Sequence, residues 1–60
     1  MYRLTIYWRD GWVITPTCEF KDATTAHRVA VRLLDEYPRA FEHIEVHGTF
    51  GQVASVWGAQ

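Results

Sequence analysis

The segment Trp8–Trp12, which reads Trp-Arg-Asp-Gly-Trp, constrains the fold more than any other part of the chain. A three-residue hairpin loop that ends in a left-handed glycine would place Arg9, Asp10 and Gly11 in the turn. The residues that flank this loop then become cross-strand neighbours in a hairpin of two strands, Tyr2–Trp8 and Trp12–Phe20. The pairs predicted to face each other are all apolar or nearly so: Trp8 with Trp12, Ile6 with Ile14, Leu4 with Pro16, and Tyr2 with Cys18.

The length of this loop decides which side chains share a face of the hairpin. A two-residue loop of Asp10 and Gly11 would place Leu4 opposite Thr17 and mix apolar with polar side chains. A slip of one residue turns every side chain of a strand to the other face, so the pattern favours the longer loop. The face opposite the apolar one is then predicted to carry Arg3, Thr5, Tyr7, Val13, Thr15, Thr17 and Glu19.

The middle of the chain predicts one helix. Asp22 can cap a helix that begins one residue later, because its carboxylate can accept a bond from an unpaired N–H; Thr24 or Thr25 is the alternative cap. Pro38 disfavours helical geometry at Tyr37 and ends the helix near there. Apolar residues recur at the helical period and form a stripe that faces the core: Ala23, Ala26, Val29, Ala30, Leu33, Leu34 and Tyr37.

The last third of the chain predicts a second hairpin. A third strand runs from about Glu42 to Gly48, and a fourth runs from Gln52 to Trp57. The connecting loop, residues 49–51, again has three residues and ends in glycine, although Gly48 is an alternative turn residue. The longer loop predicts these facing pairs: His43 with Trp57, Ile44 with Val56, Glu45 with Ser55, Val46 with Ala54, and His47 with Val53.

One proline fixes the predicted order of the strands. Pro16 has no N–H to donate to a neighbouring strand, so it confines the second strand to an edge of the sheet. The crossover through the helix should be right-handed if the second and third strands are parallel. Both conditions are met by the order 2-1-3-4, in which the fourth strand forms the other edge. The sequence therefore predicts an α+β, single-domain ββαββ fold over residues 1–60, with a four-stranded antiparallel sheet and one helix on one face.

Composition narrows the classes of protein that the chain can belong to. With one cysteine among 60 residues, no intramolecular disulfide can form, and a single free thiol suggests the cytoplasm. The chain shows no signal-peptide pattern and no apolar run of the ~20 residues that cross a bilayer, so no membrane partner is expected. The net charge of −1 argues against strong non-specific binding to nucleic acid, which needs excess Lys and Arg.

Few residues suggest catalysis or metal binding. His43 and His47 share a strand face but lie roughly 13 Å apart at ~3.3 Å per residue, too far to hold one metal ion. Cys18 is predicted to point inward beside Tyr2, where a thiol is usually an inert packing group. The carboxylates are dispersed over turns, caps and exposed faces, so no acid–base pair is evident. We therefore expect no enzyme, no catalytic residue, no cofactor and no metal.

The sheet face without the helix is the predicted functional surface. Aromatic and arginine side chains are favoured as binding anchors, although single apolar residues occur on every protein surface. We expect a small non-enzymatic protein-binding module, accessory or regulatory and of the inhibitor type, that acts through this face and the fourth-strand edge, with a homodimer as one form. The alternative is an RNA or single-stranded nucleic-acid binder, because bases can stack on the aromatic rings of a sheet. The expected binding residues are Arg3, Tyr7, His43, His47, Val53 and Trp57.

Overall fold

A computed structural model describes residues 1–58 of the chain and shows one helix packed against one four-stranded sheet. The sheet order is β2-β1-β3-β4, and every neighbouring pair is antiparallel. The predicted α+β fold and strand order are therefore confirmed. The elements are β1 (Tyr2–Trp8), β2 (Val13–Ile14), α1 (Ala23–Glu36), β3 (Phe41–Gly48) and β4 (Val53–Trp57).

Both hairpin loops close as the sequence predicts. Gly11 and Gly51 have φ angles of 101° and 84°, a region that favours glycine because it has no Cβ. The N–H groups of Trp8 and Gly48 donate across the loops to the residue after each glycine, at 2.8 and 2.7 Å. The register of the first hairpin next to its loop, and all the predicted pairs of the second hairpin, are confirmed.

The second strand is much shorter than predicted, because regular pairing ends at Ile14. Hydrogen-bonded and non-hydrogen-bonded pairs alternate along an antiparallel ladder. The bond between Trp8 and Trp12 therefore makes the predicted pair of Leu4 and Pro16 a hydrogen-bonded one. Proline has no N–H to donate, so the ladder stops before it.

The chain returns to β1 two residues later than predicted. Tyr2 exchanges two backbone bonds of 2.8 Å with Phe20, where the sequence predicts Cys18. The predicted pair of Tyr2 with Cys18 is therefore wrong, and Cys18 is exposed, although it lines a surface groove together with the core residue Leu4. The extra residues leave the ladder between Ile14 and Phe20, so this edge of the sheet is irregular.

The ends of α1 follow the predicted signals. Asp22 Oδ1 accepts a hydrogen bond of 2.7 Å from the Thr25 N–H, which confirms the predicted cap. The helix ends at Glu36, and the N–H of Tyr37 donates to the carbonyl of Leu33 at 3.0 Å. No helix within residues 1–58 is long and apolar enough to cross a membrane.

The core lies between α1 and the three longer strands. Ala26 and Ala30 have no exposed surface, and their small side chains let the helix lie close to the central strands. Ala23 and Tyr37, at the two ends of the predicted stripe, are exposed. The buried apolar residues are Leu4, Ile6, Ala26, Ala30, Leu34, Phe41, Ile44 and Val46.

Candidate functional site

The six predicted binding residues all lie on the sheet face opposite α1, which we call the open face. Side chains alternate along a strand, so residues two apart on β1, β3 and β4 share this face. The strand registers arrange them in two cross-strand rows, with another row between these two. The first row is Tyr7, His43 and Trp57, the second is Thr5, Glu45 and Ser55, and the third is Arg3, His47 and Val53.

The first row is a continuous stack of rings. The imidazole of His43 lies between the rings of Tyr7 and Trp57, with centroids 4.3 Å away on each side. The planes are inclined by only 10° and 23°. His43 is 9% exposed, whereas Trp57, on the edge strand, is 59% exposed. This ring stack therefore leads from the middle of the sheet to an accessible indole.

Carboxylates lie near both nitrogens of the His43 ring. Its Nδ1 lies 3.0 Å from Oε1 of Glu42, and its Nε2 lies 3.8 Å from Oε2 of Glu45. The sequence predicts His43 opposite Trp57, and this pair is confirmed. The structure adds that the two rings stack and that the imidazole is buried.

Glu45 connects the first row to the third and is missing from the predicted binding set. The Tyr7 hydroxyl donates to Oε1 of Glu45 at 2.9 Å, and Nε2 of His47 lies 3.1 Å from the same oxygen. The hydrogen bond from Tyr7 lowers the pKa of Glu45, with further lowering from the two histidines, and it raises the pKa of Tyr7. The alternating His-Ile-Glu-Val-His sequence of β3 predicts that Glu45 shares a face with both histidines, but it does not predict these hydrogen bonds.

The third row is more polar and belongs to the opposite end of the open face. Arg3 pairs with Glu19 at 3.0 Å, so its charge is compensated. Arg3 and His47 also line a surface hollow of about 520 Å³ with Thr49. Val53 pairs with His47 and is 55% exposed on the edge strand. No group of three or more His, Cys, Asp or Glu residues within residues 1–58 is arranged to hold a metal ion.

The backbone of β4 presents unpaired groups at the edge of the sheet. The bond from the Gly48 N–H to the Gln52 carbonyl sets the alternation of the ladder, so residues 54 and 56 bond to β3. The N–H and C=O groups of Val53, Ser55 and Trp57 therefore point outward, and we call them the free edge. In the described part of the chain no strand lies beyond β4.

Comparison with protein-family models, curated proteins and solved structures finds no match for this chain.

Proposed function

We propose that the chain is a non-enzymatic protein-binding module that takes up an extended segment of a partner chain along β4. The observation that carries this proposal is the coincidence of two features on one strand. The ring stack ends at Trp57, and the same residue belongs to the free edge. A segment that adds to the edge would therefore meet both main-chain partners and an aromatic anchor.

The main chain of β4 suits strand addition. An extended peptide that pairs with an open sheet edge gains backbone hydrogen bonds for affinity, while side-chain contacts give specificity. Sheet edges commonly carry proline or charged residues that deter such pairing. Residues 52–57 include neither, in contrast to Pro16 at the other edge.

The side chains of the first row suit a binding anchor. Tryptophan is enriched among the residues that contribute most to protein interfaces. Ordering a flexible side chain costs about 0.5–1.5 kcal/mol on binding. Because Trp57 already lies against His43, part of this cost is met before a partner arrives.

Charge on the open face favours a protein segment over a nucleic-acid strand. Binding of a phosphate backbone needs uncompensated Lys or Arg. Arg3 is paired with Glu19, and the carboxylates of Glu42 and Glu45 lie beside the ring stack. A module of this kind acts by binding a segment of its partner, which fits an accessory, regulatory or inhibitory role inside the cell.

The test begins with a partner captured from the native host and then purified. Its affinity is measured for the wild type and for Trp57→Ala and Ser55→Pro, which remove the indole and one outward N–H. We expect each change to weaken binding at least tenfold. Ser55→Val keeps the N–H and favours the strand conformation, so it should bind at least as tightly as the wild type. Trp12→Ala removes an exposed indole outside β4 and should bind like the wild type.

Two outcomes would refute the proposal. Equal affinity of the partner for wild type, Trp57→Ala and Ser55→Pro would place binding elsewhere on the molecule. Binding to single-stranded RNA that weakens steeply with salt, without any protein partner, would favour the nucleic-acid alternative.

A further inference from the structure

We propose that the segment that adds to the free edge is β4 of a second copy of this chain. The two strands would pair antiparallel about a two-fold axis at Ser55 and join two sheets into one. This inference rests on the proposed function, because it uses the same edge and the same anchor, and it names the partner.

The backbone of β4 is complementary to itself in this register. Val53, Ser55 and Trp57 all direct their N–H and C=O groups outward. An antiparallel pair centred on Ser55 aligns each of these residues with an outward-pointing residue of the second copy. The register therefore gives about six backbone hydrogen bonds, two for each hydrogen-bonded pair.

The side chains are complementary in the same register. On the open face, Val53 of each copy lies opposite the partner's Trp57, and symmetry makes this contact twice. On the helix side, Ala54 lies opposite the partner's Val56. Val53 and Trp57 are 55% and 59% exposed in the single chain, so both have apolar surface to bury.

Charge also permits the pairing of two identical strands. Like charges placed directly opposite each other destabilise a strand pair. Residues 52–57 carry no charged side chain, and each copy has a net charge of only −1. A symmetric pair at the other edge has no comparable strand to use, because β2 spans only Val13–Ile14.

The first measurement is the molar mass of the wild type by sedimentation velocity, from about 1 µM to about 1 mM, a range that covers weak association. We expect the mass to rise with concentration toward twice that of one chain. Ser55→Pro removes an outward N–H without removing a bond to β3, so this variant should stay monomeric across the series. Ser55→Val, the matched control, keeps the N–H and favours the strand conformation, so it should associate at least as strongly as the wild type.

A second measurement uses the unaltered chain and does not depend on the folding of any variant. Amide hydrogen exchange is followed by NMR at low and high concentration. The amides of Val53, Ser55 and Trp57 should exchange freely in the dilute sample and at least tenfold more slowly in the concentrated one. The amides of Ala54 and Val56, which bond to β3, are internal controls and should be protected in both.

The outcomes separate this inference from the proposed function. A wild type that stays monomeric at the highest concentration overturns the homodimer, while strand addition by a different protein is judged by the captured partner. A dimer whose outward β4 amides still exchange freely also overturns the inference, because it uses another surface. Mass doubling with protection confined to the outward amides supports it.

Discussion

The imidazole of His43 and the indole of Trp57 lie face to face, with centroids 4.3 Å apart, across the last two strands of the sheet. One ring is buried and the other is mostly exposed. The Nδ1 of the buried ring lies 3.0 Å from a carboxylate oxygen of Glu42, and its Nε2 lies 3.8 Å from one of Glu45. The exposed ring therefore lies against a buried ring, on a strand at the edge of the sheet.

Removing the indole should cost stability as well as binding. Aromatic pairs contribute roughly 0.5–1.5 kcal/mol beyond their buried area, so Trp57→Ala should lower the free energy of unfolding by at least about 1 kcal/mol. The measurement is urea denaturation of the monomer followed by far-UV circular dichroism. Phe50→Ala is the control, because Phe50 is 89% exposed in a loop and its loss should change stability by less than about 0.5 kcal/mol. Equal losses for the two variants would show that the stack adds nothing.

The carboxylate of Glu45 should make stability depend on acid pH. Its pKa in the folded chain is lowered, first by the hydrogen bond from Tyr7, so the folded state binds a proton less readily than the unfolded state. The stabilisation is then complete above the usual glutamate pKa of about 4.3 and is lost as the pH falls through the lowered value. We therefore expect the urea concentration at the unfolding midpoint of the wild type to decrease when the pH is lowered below about 4.3.

The Glu45→Gln variant separates titration from hydrogen bonding. The amide oxygen can still accept the bond from Tyr7, but the side chain no longer gains a proton. Its urea midpoint should therefore change less between pH 5 and pH 3 than that of the wild type. Asp22, whose pKa is lowered first by the bond from the Thr25 N–H, supplies a second acid-dependent contribution that remains in this variant. If the urea midpoint of Glu45→Gln changed between pH 5 and pH 3 as much as that of the wild type, the role given to this carboxylate would be contradicted.

The glycine that closes the second loop should not tolerate a side chain. Gly51 has a φ of 84°, and a Cβ built on it would meet no atom within 4 Å, so the cost of alanine comes from backbone strain alone. Gly51→Ala should destabilise the fold by about 1–2 kcal/mol. Gly58→Ala is the matched control, because its Cβ would make only an ordinary contact of 3.5 Å with Leu34. Similar melting temperatures for the two variants would contradict this assignment of strain.

The sequence is sufficient to predict the architecture because the relevant signals are local. The two loops that end in Gly11 and Gly51 set the registers, and Asp22 and Pro38 mark the ends of the helix. The ladder between β1 and β2 is different, since its length depends on whether Pro16 falls on a hydrogen-bonded or a non-hydrogen-bonded pair. That alternation follows from the hydrogen bond between Trp8 and Trp12 that closes the loop, so the predicted loop length already implies that the ladder stops before Pro16.

The candidate site is only partly predictable for a related reason. Strand alternation assigns the six binding residues to one face, and the register places His43 beside Trp57. The hydrogen bonds of Glu45 to Tyr7 and His47 depend on side-chain rotamers, which no strand pattern contains. The burial of His43 likewise follows from rings on two neighbouring strands that cover both of its faces.

The exposure of Cys18, which differs from the prediction, allows a decisive test of the irregular edge between Ile14 and Phe20. If Cys18 faced Tyr2 inside the hairpin, as the regular register predicts, a thiol reagent would reach it only through unfolding, which slows reaction by about a thousandfold or more. In the structure Cys18 is exposed, so the folded chain should react within roughly tenfold of the rate in concentrated urea. Because the chain has one cysteine, every modified thiol reports this site. Strong protection of the native thiol would support the regular ladder and contradict the bridge between Tyr2 and Phe20.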